Sequence, residues 1–313
     1  MCVNNQIKLG IIAIAVVIPL SSFSVCASDS SLQLRETNDK SKLYIISSFY
    51  PLYEFAQKVG QEKVDVELLV PVGVEPHDWE PTIQEVQRMQ NSDLIVINGI
   101  GFERWVNSLE EMNYKGTVVD TSDGIILKDG DEIFEESSEN EKHVHESGDP
   151  HIWLNPVLAK SQIKNVADAF SNADPKNQKF YQENAVNYIR ELDLLDSKIR
   201  MELSNCNHDF IAFHDAFSYF AQEYDLNQHT IISSNDPHAE PTAKTLENVI
   251  SLAIELNLTV IFTEETTDPR TSQVIANEIG GKTLVLSPLE IANDGDYVSR
   301  MTENLDNLKK ALC

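Results

Sequence analysis

Short, almost continuously apolar runs alternate with helix-like patterns along most of the chain. Such runs are typical of strands that are buried on both faces of a parallel sheet. The first half of the chain has four of these runs and the second half has four more. They lie at residues 43–47, 64–70, 94–98, 117–120, 210–213, 230–233, 258–262 and 283–286. Strands that alternate with helices predict an α/β fold.

Three of the intervening segments carry clear helix signatures. Residues 82–90 begin with the Thr and Glu of a capping box, and residues 242–256 have one apolar face. The longest pattern runs from just after Pro175 to about Ser204, with apolar side chains at steps of three and four. Such a helix would be about 40 Å long. We therefore expect two lobes, each with a parallel sheet flanked by helices, bridged by one long helix.

The N-terminus has the pattern of a signal peptide. Lys8 precedes an apolar run at residues 9–20, and small and polar residues follow up to Ala27. The run is shorter than the roughly 18 to 20 residues that a membrane-spanning helix needs. Residues 1–27 are therefore predicted to be an export signal that is cleaved after Ala27. The alternative is a lipid anchor at Cys26, and residues 28–41 would form a polar tether in either case.

The chain is strongly acidic, with a formal net charge of -26 from 50 acidic and 24 basic side chains. Such a surface would repel a phosphate backbone, so nucleic acid is not an expected partner. Residues 128–149 are especially acidic and contain few apolar residues, which predicts a disordered loop. His143 and His145 lie near its end and could collect cations weakly.

Two cysteines, Cys206 and Cys313, lie outside the predicted export signal. Export would allow a disulfide between them. Nothing in the sequence places them close together, so two separate thiols are equally compatible with it.

Three histidines lie in settings that are typical of a ligand site. His77 belongs to a Pro-His-Asp-Trp motif after the second predicted strand, and His214 follows the fifth. His151 lies in the dense motif Asp-Pro-His-Ile-Trp-Leu-Asn-Pro. Ligands of open parallel sheets bind beyond the carboxyl ends of the strands, which is where these side chains are expected.

A fourth candidate is Glu290, which follows the last predicted strand, although its spacing alone does not single it out. Three neutral imidazoles and one carboxylate would complete a four-coordinate zinc site. Because such a site has no open position for a substrate water, it favours carriage of the metal over catalysis. Asp78, Asp149 and Asp215 lie beside or near the histidines and are predicted to orient their rings.

These motifs resemble the zinc and manganese solute-binding proteins of ABC importers, the cluster A-I family, over about residues 43–312. The resemblance also rests on Phe49-Tyr50-Pro51-Leu52, Asn98-Gly99, Phe102-Glu103 and the run from Phe213 to Phe220. It implies two lobes bridged by a rigid helix, with His77, His151 and His214 as metal ligands. It further implies Zn²⁺ as the transported ligand, and an importer permease with its ATPase as partners. The protein would then work in the periplasm or at the outer face of the cytoplasmic membrane.

The domain boundaries follow from the same pattern. We predict an N-terminal lobe at residues 42–175 that includes the acidic loop, a linking helix at 176–204 and a C-terminal lobe at 205–313.

Two positions bear on the choice of metal. In the family that the chain resembles, manganese-specific members carry glutamate at the position of His214 and zinc-specific members carry histidine, which favours zinc. Many members place an aspartate ligand at the position of Ser287, whereas some zinc members use the glutamate of a Pro-Leu-Glu motif, here Glu290. Manganese remains the alternative, because zinc binds more tightly than manganese at almost any nitrogen and oxygen site.

Other classes of protein receive less support. A secreted zinc hydrolase is disfavoured because the chain has neither a His-Glu-x-x-His helix nor a Gly-x-Ser-x-Gly elbow. The chain is therefore not expected to be an enzyme. Some members of the resembled family are described as surface adhesins, and the sequence neither supports nor opposes an adhesin role for this chain.

Overall fold

The computed structural model describes residues 42–109, 113–126, 148–232 and 240–313. The predicted export signal, Cys26 and the tether lie outside the described residues, as do His143 and His145. No helix in the described ranges is both long and apolar enough to cross a bilayer.

The N-terminal half forms a four-stranded parallel sheet. Its strands are β1 (Leu43–Ser47), β2 (Val64–Leu68), β3 (Leu94–Ile97) and β4 (Thr117–Asp120), in the order β2-β1-β3-β4. The helices of this half are α1 (Tyr50–Gly60), α2 (Ile83–Gln90) and α3 (Pro156–Ala173). All four residues of β3 are buried, as expected for a strand that is covered on both faces.

Sterics require glycine at the second position of the Asn-Gly motif after β3. Gly99 has a φ of 85°, and a Cβ built there would lie 2.0 Å from Oδ1 of Asp120. The buried carboxylate of Glu103 closes the same loop by accepting the backbone N–H groups of Asn98 and Gly99. The loop that follows β3 is thereby held close to the carboxyl edge of the sheet.

The longest helix, α4 (Gln178–Leu203), has 26 residues and begins after a short 3₁₀ turn at Pro175–Asn177. Its buried stripe belongs to one apolar cluster that includes side chains from both halves of the chain. The stripe consists of Tyr181, Ala185, Tyr188, Leu192, Leu195, Ile199 and Leu203. Truncating one of its leucines to alanine would cost about 2–5 kcal/mol of stability.

A buried carboxylate ties α4 to the helices on either side. Glu54 on α1 accepts the hydroxyl of Tyr188 at 2.9 Å and that of Tyr50 at 2.7 Å. It also accepts the backbone N–H of Tyr297, the first residue of the last helix, at 2.6 Å. Burial and the nearby carboxylate raise the pKa of Tyr188 well above its usual value, so this hydroxyl keeps its proton. The joint between the two halves is therefore built from satisfied, buried hydrogen bonds.

The C-terminal half repeats the strand and helix alternation. Its strands form two parallel pairs, β5 (Asp209–Ala212) with β6 (Asn227–Thr230) and β7 (Val260–Thr263) with β8 (Lys282–Val285), and β5 lies against β7. The helices are α5 (Ser218–Glu223), α6 (Ala243–Glu255), α7 (Pro269–Glu278) and α8 (Tyr297–Leu312).

One predicted strand is misplaced. The apolar run at residues 230–233 predicted a strand there, but β6 is the polar segment Asn227–Thr230. β6 pairs with β5, and the backbone N–H groups of Ile231 and Ile232 continue this pairing by donating to the carbonyl oxygens of Ala212 and Phe213. Their side chains pack into the core just beyond the end of β6, so the apolar run marks the buried end of the strand and misses its polar start. The other seven predicted strands begin and end within two residues of the observed ones.

Cys206 and Cys313 form a disulfide, with their Cα atoms 4.6 Å apart. The bond joins the segment after α4 to the residue that follows α8, across 107 positions of sequence. The predicted α/β class with parallel sheets and one long helix is confirmed, while the predicted domain boundaries stay a prediction.

Candidate metal centre

The four side chains predicted as ligands meet at one point. Four ligand atoms lie within 4.8 Å of one another, one ring nitrogen each from His77, His151 and His214 and one carboxylate oxygen from Glu290. In the described part of the chain, this is the one group of three or more His, Cys, Asp or Glu side chains that could hold an ion. Its members are far apart in the chain and come from both halves of the molecule.

Each ligand follows a strand or begins a helical segment. His77 lies on the connection between β2 and α2, and His151 lies directly before the 3₁₀ turn Ile152–Leu154 that leads into α3. His214 follows β5, and Glu290 follows β8. The cluster is thus formed by residues that follow the carboxyl ends of strands from both lobes, together with one helix entry.

The spacing of the ligand atoms suits a tetrahedral ion. Nε2 of His151 lies 3.3 Å from Nε2 of His77 and 3.4 Å from that of His214. Oε1 of Glu290 lies 3.1, 3.5 and 3.7 Å from the Nε2 atoms of His77, His151 and His214. Zinc bonds of about 2.0–2.1 Å in a tetrahedron give ligand separations of about 3.3 Å. Five of the six ligand separations are therefore close to those of a zinc site, and the remaining pair, His77 with His214, lies within 4.8 Å.

His151 is oriented by Asp149, two residues earlier. One carboxylate oxygen accepts both the backbone N–H of His151, at 3.0 Å, and its ring Nδ1–H, at 2.7 Å. The hydroxyl of Ser218 donates to the other oxygen. Burial alone would raise the pKa of Asp149, but the His151 ring and these hydrogen bonds hold it below its ordinary value. The ring is fixed with Nε2 toward the cluster.

His214 is oriented by a residue that the sequence did not single out. Oε1 of Glu264, just past β7, lies 2.7 Å from Nδ1 of His214 and also accepts its backbone N–H at 3.2 Å. Asp215, predicted to orient this ring, accepts a hydrogen bond from Gln228 at 2.8 Å, while Nδ1 of the ring contacts Glu264. No local signal marks Glu264, because its proximity to His214 depends on β7 lying beside β5.

Asp78, predicted to orient the ring of His77, also has another partner. Its carboxylate pairs with the guanidinium of Arg104 at 2.9 Å and lies at the surface. His77 and Asp78 lie in a turn, where adjacency in sequence does not bring the carboxylate to the ring.

Of the four ligands, His77 is the one nearest to solvent, and we call its side of the cluster the mouth. Its side chain is 9% exposed, whereas those of His151 and His214 are fully buried. Its ring packs edge-on against Phe102, with the ring centroids 4.8 Å apart. The backbone N–H of His77 donates to Oε1 of Glu75 at 2.9 Å.

Glu290 is held by an unusual loop. Leu289 adopts a left-handed backbone with a φ of 58° although it is not glycine, and its side chain is fully buried. Its N–H donates to Oγ of Ser287, which also accepts a hydrogen bond from Arg300. Ser287 therefore shapes the loop that presents Glu290. Its backbone N–H donates to Asn304 at 2.8 Å, which ties the loop to α8.

The electrostatics of the cluster favour a cation. Burial opposes ionisation of Glu290, but the three imidazoles around it hold its pKa well below the ordinary value. Burial likewise opposes protonation of His214, yet the carboxylates of Glu264 and Glu290 raise its pKa well above the usual one. Oε2 of Glu290 is buried without a hydrogen-bond partner. His151 and His214 donate their Nδ1–H groups away from the cluster, so in the neutral rings the lone pair of Nε2 faces Glu290. A divalent ion between these nitrogens and the carboxylate would satisfy all of these groups.

Comparisons with known proteins agree with this geometry. The chain resembles the high-affinity zinc uptake system protein ZnuA of Bacillus subtilis (strain 168), with 38% identity over 281 residues that cover 87% of this chain and 88% of that protein. A crystal structure of ZnuA superposes with a TM-score of 0.77 at 31% identity, covering 87% of this chain and all of that one. The Zn(II)-bound ZnuA-like domain of Streptococcus pneumoniae AdcA gives a TM-score of 0.74 at 31% identity, with coverage of 86% and 98%.

The matched proteins differ in length. The chain spans between 56% and 61% of the streptococcal zinc-binding AdcA proteins that it also resembles. The family described as "Zinc-uptake complex component A periplasmic" matches residues 45–311. Since that match covers most of the sequence, the chain belongs to the ZnuA family, as its motifs predicted.

Proposed function

We propose that this protein is the extracytoplasmic solute-binding component of an ABC-type importer, which captures Zn²⁺ and delivers it to the permease and its ATPase. The observation that carries this proposal is the cluster of His77, His151, His214 and Glu290, whose ligand atoms lie within 4.8 Å of one another in a member of the ZnuA family.

The donor set supports zinc as the cargo. Imidazole nitrogen suits zinc, whereas manganese prefers sites rich in carboxylate, carbonyl and water oxygens. Three of the four ligand atoms here are nitrogens, and the third comes from His214, which is completely buried. Manganese is the less favoured cargo for this reason.

The closed ligand set supports carriage over catalysis. Four protein ligands fill a tetrahedral zinc site, whereas catalytic zinc keeps a position for water. Two further carboxylates beside the cluster, Asp149 and Glu264, are engaged with ring N–H groups and are not placed as general bases. We therefore propose that the protein is not an enzyme.

Export is supported by two separate observations. The family description places its members in the periplasm, and the disulfide between Cys206 and Cys313 suits an oxidising compartment. Cleavage after Ala27 releases the protein, while lipidation of Cys26 would hold it at the membrane. Mass spectrometry of the mature N-terminus distinguishes these two forms.

Metal binding tests the proposal directly. After chelator stripping, the protein is expected to take up one zinc ion per chain and to retain it against excess manganese. His214→Ala should weaken zinc binding at least tenfold. His229→Ala is the matched control, because His229 lies on β6 and pairs with Asp209. An unchanged zinc titration for His214→Ala would remove that residue from the site, and preferential manganese loading would overturn the choice of cargo.

A further inference from the structure

A second carboxylate lies beside the mouth of the metal centre. Oε1 of Glu75 is 4.0 Å from Nε2 of His77, the ring nitrogen that faces the cluster. The Glu75 side chain is 8% exposed and the His77 side chain 9%. Glu75 is not a member of the four-ligand group of His77, His151, His214 and Glu290.

The chain contains an internal comparison for this arrangement. Glu75-Pro76-His77 and Asp149-Pro150-His151 are both acid-proline-histidine motifs, and in each the carboxylate accepts the backbone N–H of the histidine. The shorter Asp149 also takes the outward Nδ1–H of its ring at 2.7 Å. Glu75 is one methylene longer, and its nearest ring nitrogen is Nε2, on the metal side. One extra carbon therefore moves the carboxylate from the orienting side of the ring to the ligand side.

The separation of these two atoms fits an ion. Zinc bonds of about 2.0–2.1 Å to each of two ligands span at most about 4.1 Å. The observed 4.0 Å between Oε1 of Glu75 and Nε2 of His77 lies within that span. A small rotation of the Glu75 side chain would bring the two atoms to an ordinary ligand angle.

The charge of the site also leaves a role for Glu75. Three neutral imidazoles and the carboxylate of Glu290 carry one negative charge against the two positive charges of zinc. Partly buried charges interact more strongly than charges in water, so a second carboxylate near the mouth would stabilise an ion on its way into the buried set.

We propose that Glu75 and His77 form the position at which entering zinc first binds, before it moves around Nε2 of His77 to the set completed by His151, His214 and Glu290. This inference rests on the proposed function. At the mouth the hydrated ion exchanges waters for Oε1 of Glu75 and Nε2 of His77. The ion then exchanges the carboxylate of Glu75 for the three buried ligands, and it leaves by the same route.

Rapid-mixing measurements of zinc binding test this step. Glu75→Gln keeps an oxygen that can accept the backbone N–H of His77 but removes the charge, and it should slow zinc association about tenfold. Its dissociation rate constant should not rise, whereas a merely loosened site would release zinc faster. Glu80→Gln is the matched control, because Glu80 is an exposed glutamate on the same connection and loses the same charge. It should bind zinc within about twofold of the wild-type rate.

A second variant separates the ligand role from hydrogen bonding. Glu75→Asp reproduces the Asp149 motif, keeps the charge and withdraws the carboxylate from the metal side, so it should also slow association. Association by Glu75→Gln or by Glu75→Asp within twofold of wild type would overturn the inference. If Glu75→Gln fails to fold, as judged by its melting temperature, Glu75→Asp decides. Failure of the proposed function has a different signature, since the wild-type protein itself would then not load one zinc ion.

Discussion

The indole nitrogen of Trp153 donates a hydrogen bond to the carbonyl oxygen of Pro288 at 2.8 Å. Trp153 follows His151 by two residues and Pro288 precedes Glu290 by two, so this single bond links the loops that carry ligands from the two halves of the chain. The carbonyl of Trp153 in turn accepts the hydroxyl of Tyr297 at 2.7 Å. Trp153 is fully buried, so these hydrogen bonds are shielded from water.

Trp153→Phe should therefore weaken both folding and zinc binding. The change preserves an aromatic ring but leaves the carbonyl of Pro288 buried without its donor, at a cost of about 1–3 kcal/mol of stability. Because Glu290 is then less firmly placed relative to His151, the zinc dissociation constant should rise about three- to tenfold. Urea denaturation and chelator competition measure the two effects.

Trp105→Phe is the comparison variant. Trp105 is also buried, but it packs in a separate apolar cluster of the N-terminal half. It should lose stability without loss of zinc affinity. Equal zinc affinities for the two variants would show that the Trp153 bond does not position the ligands.

Glu264 should matter more than the aspartate beside His214. Glu264→Ala removes the acceptor of the Nδ1–H of His214, so the ring loses its fixed orientation and zinc affinity should fall about 10- to 100-fold. Asp215→Ala removes a carboxylate that bonds to Gln228 and should change zinc affinity by less than twofold. Isothermal titration in the presence of a competing chelator measures both, and a larger loss for Asp215→Ala would reverse the assignment.

Most of the fold and three of the four clustered side chains, the histidines, could be predicted from patterns in the sequence, for physical reasons. Strands such as Leu94–Ile97 are fully buried and are therefore apolar throughout, which marks them without any tertiary information. The capping box of α2, formed by Thr82 and Glu85, is likewise a local signal and is present in the structure. Glu290, by contrast, was identified through family resemblance, since its own spacing carries no signal.

The remaining features depend on contacts between distant segments. Glu264 lies 50 positions from His214 and reaches its ring because β5 and β7 are neighbours. Pairing of Cys206 with Cys313 depends on where α8 ends relative to α4. Neither relationship leaves a pattern within a short window of sequence, so local periodicity cannot reveal it.

Zinc affinity should fall with decreasing pH, beginning above the usual histidine range. In the zinc-free protein burial opposes protonation of His151 and His214, but Asp149 and Glu264 outweigh it, and the pKa values of both rings are raised above 6.5. Zinc binds only the neutral rings, so it must displace a proton from each ring that is protonated. For each such proton, the apparent zinc affinity should fall about tenfold per pH unit below the raised pKa. Titrations from pH 8.5 down to about pH 6 measure this, and a flat profile would contradict histidine ligation.

The same protonation should stabilise the zinc-free fold at low pH. A group whose folded pKa is raised contributes stability that is fully present below its unfolded pKa, about 6.5, and is lost as pH rises through the folded value. The melting temperature of the zinc-free protein should therefore fall as pH rises through the neutral range. The increase in melting temperature on adding zinc should grow over the same range, whereas His214→Ala should show a smaller dependence on pH.

The disulfide should contribute stability without contributing to metal binding. It closes a loop of 107 positions, and opening a loop of that size increases the freedom of the unfolded chain. Replacing both Cys206 and Cys313 by serine should lower the free energy of unfolding by about 2–5 kcal/mol. Zinc affinity should stay within about twofold, because the bond joins the segment after α4 to the residue after α8, whereas the ligands lie on other loops. Reductant should destabilise the wild-type protein to the same extent and leave the double variant unchanged. If wild-type stability in urea were insensitive to reductant, the pairing would not form in the folded protein.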